Sequence, residues 1–272
     1  MSLSFNKQLK EICDKKNNRL CIGLDVDPDK FVDNRNISID SMEHFLKEVI
    51  DGTIEFCPIY KPNFAFYERF GSQGYALLER VVDHISGRAI VIADAKRGDI
   101  GNTSKQYAFS IFENMGCDAI TISPYMGRDA IDPFLDYVNK GVFVLAMTSN
   151  KSAIEIQNNK NDVEPLYERI IKIANELNVN DNIGLVVGGT NTEKMSVIRK
   201  SSKDMPWLIP GIGAQGGDLD KSVSISNQNG IGIINVSRGI LYAGNGSIED
   251  IIRSAKNYTE KIRNITCNLM TY

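Results

Sequence analysis

The sequence is poor in the side chains that most enzymes use for nucleophilic and metal chemistry. Its 272 residues hold only two histidines, His44 and His84. Both fall in helix-like segments, where each is expected to be a solvated helix residue, so zinc sites and Ser-His-Asp triads have little to work with. The five cysteines, Cys13, Cys21, Cys57, Cys117 and Cys267, are odd in number and lack CxxC spacing. That argues against a disulfide framework and for free thiols in a reducing, cytoplasmic setting, with Cys21 and Cys57 in the core. No apolar run approaches the ~20 residues that span a bilayer. The opening residues Met1 to Lys7 contain no long apolar stretch, so neither a membrane span nor a secretory signal is expected. An excess of one charge is also missing. A net charge of −3 gives no basic surface for nucleic acid or an anionic membrane.

What the chain does have is alternation. Apolar strand-like runs, at Leu20–Asp25, Phe56–Lys61, Ala89–Asp94, Ala119–Ser123, Val142–Met147, Ile183–Val187, Trp207–Pro210 and Gly232–Val236, are separated by amphipathic segments. Met42, Phe45, Leu46, Val49 and Ile50 form one helical stripe, and Leu77, Leu78, Val81, Val82 and Ile85 the next. Further stripes are Tyr107, Ala108, Ile111, Phe112 and Met115; Leu166, Ile170, Ile173 and Leu177; and Ile248, Ile251, Ile252, Ala255 and Tyr258. Eight such βα units predict an α/β fold, a (β/α)8 TIM barrel formed by residues 1–272 as one domain. Phe5, Leu9 and Ile12 predict an additional N-terminal helix closing the bottom of the barrel. The Asn- and Lys-rich stretch from Ser149 to Asp162 reads as an exposed loop or short insertion before a helix at Val163.

In this fold the catalytic groups gather where strands end. The third strand runs into Asp94-Ala95-Lys96-Arg97-Gly98-Asp99-Ile100. Residues i and i+2 of a strand share a face, so Asp94 and Lys96 should lie together, with Asp99 beyond a turn. Lys61 ends the second strand and Asp25 follows the first. Burying such charges is costly, which leaves a structural ion-pair staple or an active site. Alternating Lys61, Asp94, Lys96 and Asp99 offset one another's repulsion, and an ammonium between carboxylates is suited to proton donation rather than Schiff-base formation. The seventh strand ends in Pro210-Gly211-Ile212-Gly213-Ala214-Gln215-Gly216-Gly217, and the eighth in Asn235-Val236-Ser237-Arg238-Gly239. Glycines that admit close approach, a bidentate arginine and a helix start near Asp218 predict a phosphate site there. The adjacent glycines make the 214–219 segment a candidate lid.

The Asp94 to Ile100 run resembles the D-x-K-x-x-D-I signature of the orotidine 5'-phosphate decarboxylase family. Gly23-Leu24-Asp25, the segment from Tyr60-Lys61-Pro62-Asn63 to Glu68, Pro210 to Gln215, and Ser237-Arg238-Gly239 follow in the family's order. The longer bacterial subgroup is the most similar. The resemblance implies that Lys96 delivers a proton to C6 of the pyrimidine and that Asp94 lies against the departing CO2. It implies that Lys61 and Asp25 hold ribose hydroxyls, and that Gln215 and Arg238 bind phosphate beside Pro210 and Ser237. Thr148 or Ser149 would contact the pyrimidine edge. Asp99, Ile100 and Thr103 would reach a neighbouring subunit's site, making the protein a homodimer with shared active sites. The implied reaction is cofactor-independent and metal-free conversion of orotidine 5'-phosphate to UMP and CO2, the last step of de novo pyrimidine nucleotide synthesis. One rival is a metal-dependent phosphosugar decarboxylase or aldolase on the same barrel, which needs extra acidic ligands and usually a histidine. Another is a non-catalytic pyrimidine-nucleotide sensor, which has no need of so costly a charge cluster.

Overall fold

Each apolar run of the sequence contains a strand, and the strands pair in chain order. The computed structural model describes residues 3–30, 38–158, 164–213 and 215–269. In it β1 (Leu20–Gly23), β2 (Ile59–Lys61), β3 (Ile90–Arg97), β4 (Ala119–Ile122), β5 (Gly141–Met147), β6 (Ile183–Val187), β7 (Trp207–Ile209) and β8 (Gly232–Val236) form a closed barrel of parallel strands. A helix, α1 (Phe5–Lys15), precedes the barrel. After β1 comes α2 (Ile39–Thr53), after β2 come α3 (Ala65–Glu68) and α4 (Gly71–Ile85), and after β3 comes α5 (Gly101–Phe109). Then α6 (Asp132–Leu135) follows β4, α7 (Ala153–Ile156) and α8 (Leu166–Leu177) follow β5, and α9 (Thr192–Ser201) follows β6. Finally α10 (Leu219–Ser226) follows β7, while α11 (Arg238–Leu241) and α12 (Ile248–Leu269) follow β8. This is the expected (β/α)8 barrel with its extra N-terminal helix.

Strand parity sorts the core into two shells. Outward residues such as Ile22, Tyr60, Val91, Ile120, Leu185, Trp207 and Ile234 pack under the helices. Inward residues Cys21, Ile59, Ile92, Ala119, Phe143, Val186, Leu208 and Ile233 fill the barrel together with Phe5, Leu9 and Cys13 of α1. The plug is tight. Phe5 meets Phe143 edge-on at 6.1 Å, and a Cβ on Gly141 would lie 2.3 Å from the Phe5 ring. Burying each such side chain contributes about 1.5–3 kcal/mol.

Several boundaries differ from the sequence reading for local reasons. β2 begins at Ile59, not Phe56, because the amides of Phe56 and Cys57 still bond back to Thr53 O and Pro58 has no N–H to give. β3 extends beyond Asp94 to Arg97 through a register shift against β4. The stripe from Tyr107 to Met115 divides between α5 and a π-helical turn over Ser110–Asn114. The helix start expected at Val163 lies outside the described residues; α8 begins at Leu166 behind Pro165. His44 is exposed as expected, whereas His84 is half-buried and hydrogen-bonded to Asp51 at 2.9 Å. Cys13, Cys21, Cys57 and Cys117 are buried and unpaired, and Cys267 is exposed.

Candidate active site

Two residues beyond the apolar filling, the inward positions turn polar. Lys61 stands above Ile59, Asp94 above Ile92, Thr121 above Ala119 and Asn235 above Ile233. Together they bound a cavity of about 400 Å³ at the carboxyl ends of the strands. Leu145, Val186 and Leu208 make the apolar side of the same cavity. At its centre the Asp94 carboxylate accepts three side-chain hydrogen bonds, from Lys61 Nζ (2.7 Å) on Oδ2 and from Lys96 Nζ (2.5 Å) and Thr121 Oγ1 (2.9 Å) on Oδ1. Burial by itself would raise the Asp94 carboxyl, but the Lys61 and Lys96 ammonium groups outweigh it and hold it far below the usual carboxylate range. Lys61, only 3% exposed, is likewise pushed toward its neutral form by burial. The Asp94 and Asp25 carboxylates overcome that push and raise its pKa. The Lys96 side chain remains 47% exposed, reaching over Asp94 from the open end.

The inward and outward faces of β3 carry separate ion pairs. Arg97 points away from the cavity, bonds Glu68 at 2.7 Å, and lies over the rings of Phe64 and Tyr107. The inward group faces open space instead. Asp25 Oδ1 and Ser237 Oγ are buried at the cavity wall without a hydrogen-bond partner among the described residues. Gly23 makes that wall possible, since a Cβ there would stand 2.7 Å from Ser237 Cβ.

The opposite rim comes from the loops after β5, β7 and β8. Gly211, Gly213 and Gly216 adopt φ values of +95°, +80° and +78°, which a side chain would oppose. The loop bends so that Gln215 Oε1 accepts a 2.8 Å hydrogen bond from Ser149 Oγ. Thr148 is held by Gln157, whose Oε1 accepts the Thr148 amide at 2.8 Å, and by Asn191 Nδ2, which donates to its carbonyl. Arg238 lines the cavity, and its guanidinium makes no hydrogen bond or ion pair among the described residues. A helix does begin near Asp218, but the expected role of its first turn needs correction. The Asp218 carboxylate itself accepts the Lys221 amide at 3.0 Å, and Asp218 does not line the cavity. The candidate lid includes Ala214, which lies outside the described residues.

A charged pocket at the open end of a (β/α)8 barrel with a glycine-rich rim matches a known family. The model of the orotidine 5'-phosphate decarboxylase / HUMPS family aligns with residues 18–249. The chain belongs to this family. The orotidine 5'-phosphate decarboxylase of Dehalococcoides mccartyi (strain CBDB1) is 42% identical over 267 residues, covering 96% of this chain and 96% of that protein. Among solved structures, one from Toxoplasma gondii described as an orotidine-monophosphate decarboxylase superposes with a TM-score of 0.91 at 35% identity, covering 99% of each chain. The OMP decarboxylase of Leishmania donovani superposes at 0.85 with 36% identity, over 97% of this chain and 100% of that one.

Of the residues singled out by resemblance to the orotidine 5'-phosphate decarboxylases, Asp25, Lys61, Asp94, Lys96, Thr148, Ser149, Pro210, Gln215, Ser237 and Arg238 line one cavity. Asp99, Ile100 and Thr103 do not. Within this chain Asp99 accepts the Ile100 amide, and its carbonyl accepts the Ser104 hydroxyl, away from Lys61 and Lys96. Thr121 was missed, and Asn235, although named at the end of the eighth strand, was given no role; both are polar residues in the inward register of otherwise apolar strands, which is a readable signal. Asn63, which pairs with Asp94 through a backbone bridge, and Leu145 were also missed. Among the described residues no three His, Cys, Asp or Glu side chains group as a metal site. None of the described helices is long and apolar enough to cross a membrane.

Proposed function

We propose that this protein decarboxylates orotidine 5'-phosphate to UMP and CO2 without a cofactor, as the last step of de novo pyrimidine nucleotide synthesis. The observation that carries the reading is the buried Lys61–Asp94 pair with Lys96 reaching over it, inside a cavity rimmed by Gln215 and Arg238. Family membership and the decarboxylase relative at 42% identity support it.

The chemical difficulty is a carbanion at C6 of the pyrimidine with no carbonyl placed to delocalise it. In this reading the Lys96 ammonium stabilises the developing charge and then protonates C6. Asp94, pinned by two ammonium groups, stays ionised and stands against the substrate carboxylate, a repulsion relieved as CO2 leaves. Asp25, with an unpartnered buried oxygen, and Lys61 take ribose hydroxyls. Thr148 or Ser149 takes the pyrimidine edge, and Leu145, Val186 and Leu208 offer the ring an apolar wall. Barriers of this kind must fall by on the order of 20 kcal/mol, more than one ion pair supplies. Phosphate held by Gln215 and Arg238 beside Pro210 and Ser237 therefore contributes binding energy to the transition state. The metal-dependent phosphosugar rival is disfavoured because Lys61, not an acid, occupies the end of β2 beside Asp94.

The reading includes a single barrel domain, a homodimer and a cytoplasmic setting. Four buried free thiols support a reducing compartment. Exposed Ile100, Phe109, Tyr125 and Met126, between 51% and 83% accessible, support a partner surface around Asp99. The test is loss of orotidine 5'-phosphate absorbance, measured with EDTA and repeated with Lys96→Ala. Activity in EDTA that disappears in the variant is expected; chelator-sensitive activity or an unaffected variant overturns the proposal. For shared sites, mixed Lys96→Ala and Asp99→Ala dimers should regain activity, and none after verified subunit exchange overturns them.

A further inference from the structure

One buried hydroxyl joins the two residues of the proton-delivering pair. Thr121 of β4 is 1% exposed. Its Oγ1 accepts the Lys96 backbone N–H at 3.1 Å and lies 2.9 Å from Asp94 Oδ1. A hydroxyl has one proton, and an ionised carboxylate can only accept, so that proton is directed to Asp94. The ring closes through Lys96 Nζ, which donates to the same oxygen at 2.5 Å.

The contact falls where β3 departs from regular geometry. Its register against β4 runs from Ala93↔Ile120 to Arg97↔Ile122, placing four steps of β3 opposite two of β4. Within this bulge Lys96 adopts φ +47°, a left-handed conformation that an L side chain resists. In a regular ladder the Lys96 amide would face β2, as those of Ile90 and Asp94 do; the bulge turns it to β4, where the Thr121 side chain accepts it. A β-branched residue suits the task because its χ1 is restricted.

We propose that Thr121 is a positioning residue for decarboxylation, its hydroxyl locking the Asp94 carboxylate and the strained Lys96 backbone into the geometry that aims the ammonium at the reacting carbon. This rests on the decarboxylase reading of the site. It assigns Thr121 no contact with the reacting atoms.

The test compares Thr121→Val, Thr121→Ser and Thr121→Cys with the unaltered enzyme in orotidine 5'-phosphate turnover and in UMP affinity by calorimetry. Thr121→Val removes the hydroxyl at nearly constant shape and should lower kcat about tenfold to a hundredfold, as small misplacements of reacting groups do. KM and UMP affinity should stay within about twofold, because the loss falls on the transition state. Thr121→Ser retains the hydroxyl and should recover most of kcat. Should the valine variant not fold, Thr121→Cys serves in its place, since a thiol hydrogen-bonds weakly, and it should turn over far more slowly than Thr121→Ser. Equal rates for serine and cysteine, or a rise in KM with kcat unchanged, overturn the proposal. Absence of turnover in the unaltered enzyme instead marks failure of the decarboxylase reading and removes the reaction that Thr121 is proposed to serve.

Discussion

The two ends of the barrel treat the same inward-facing positions in opposite ways. At the bottom, Cys21, Ile59, Ile92 and Phe143 meet Phe5, Leu9 and Cys13 of α1, and every side chain finds its partners inside the chain. At the top, Lys61, Asp94, Thr121 and Asn235 face a cavity of about 400 Å³. Two polar atoms there, Asp25 Oδ1 and Ser237 Oγ, have no partner among the described residues. Apolar groups gain by meeting one another, so the lower end is closed and stabilising. Polar groups left facing a cavity lower stability but are already oriented for an incoming ligand. A change at the top should therefore cost activity, and a change at the bottom should cost folding.

The sharpest break in that comparison is Lys96→Ala, which should reduce turnover by about four orders of magnitude, at the upper end of what a positioned acid contributes. Its thermal midpoint should stay near that of the unaltered protein, because Lys61 still pairs with Asp94. A parallel collapse of stability would make the top structural after all. Next, Arg238→Ala should lower kcat/KM by about a hundredfold, in line with a desolvated charge contact made to phosphate. Circular dichroism and urea unfolding should show the fold unchanged, since the guanidinium makes no hydrogen bond or ion pair among the described residues that the variant would lose. Unchanged kinetics would remove Arg238 from the phosphate site.

At the bottom, Phe5→Ala should destabilise the protein by about 3–5 kcal/mol, the usual range for emptying an aromatic core site. Turnover per folded molecule should not change, and a selective loss of kcat would mean that the two ends are coupled. The mildest test is pH. Asp94 has a depressed folded pKa, so its stabilising contribution is present above the unfolded value of about 3.9 and is lost as pH falls through the folded one. Lys61 has a raised folded pKa, so its contribution is present below about 10.4 and is lost as pH rises through the folded value. Urea midpoints should therefore show no slope from this pair between about pH 5 and 9. Asp94→Asn should remove the part of the acid-side slope that Asp94 contributes, and a slope identical to that of the unaltered protein would assign it to other carboxylates.

Much of the barrel was legible because its rules are periodic. Alternating βα runs identified the strands, and the in-phase Phe5, Leu9 and Ile12 identified the plugging helix. The charged run at the end of β3 identified Asp94 and Lys96, although their geometry includes a bulge and a left-handed Lys96 that no alternation rule anticipates. Thr121 was missed because a single threonine in an apolar strand reads as an ordinary β-former. Only its pairing opposite the bulge gives it the Asp94 and Lys96 contacts. The Asp218 cap was misjudged for a related reason. A helix start is readable from sequence, but whether the cap's own carboxylate already takes one of its amides is not.

By itself the sequence determined the fold class, the end of the barrel that carries chemistry, and the residue types available for it. These follow from side-chain periodicity and from charges that cannot be buried without purpose. Tertiary structure decided which of those residues share a space. Asp25, Lys61, Asp94, Lys96, Gln215 and Arg238 converge because closing eight strands brings distant strand ends onto one rim. Asp99, only three residues from Lys96, is turned away from that rim, because a chain that has left its strand is governed by local turns and contacts rather than by the strand's alternation.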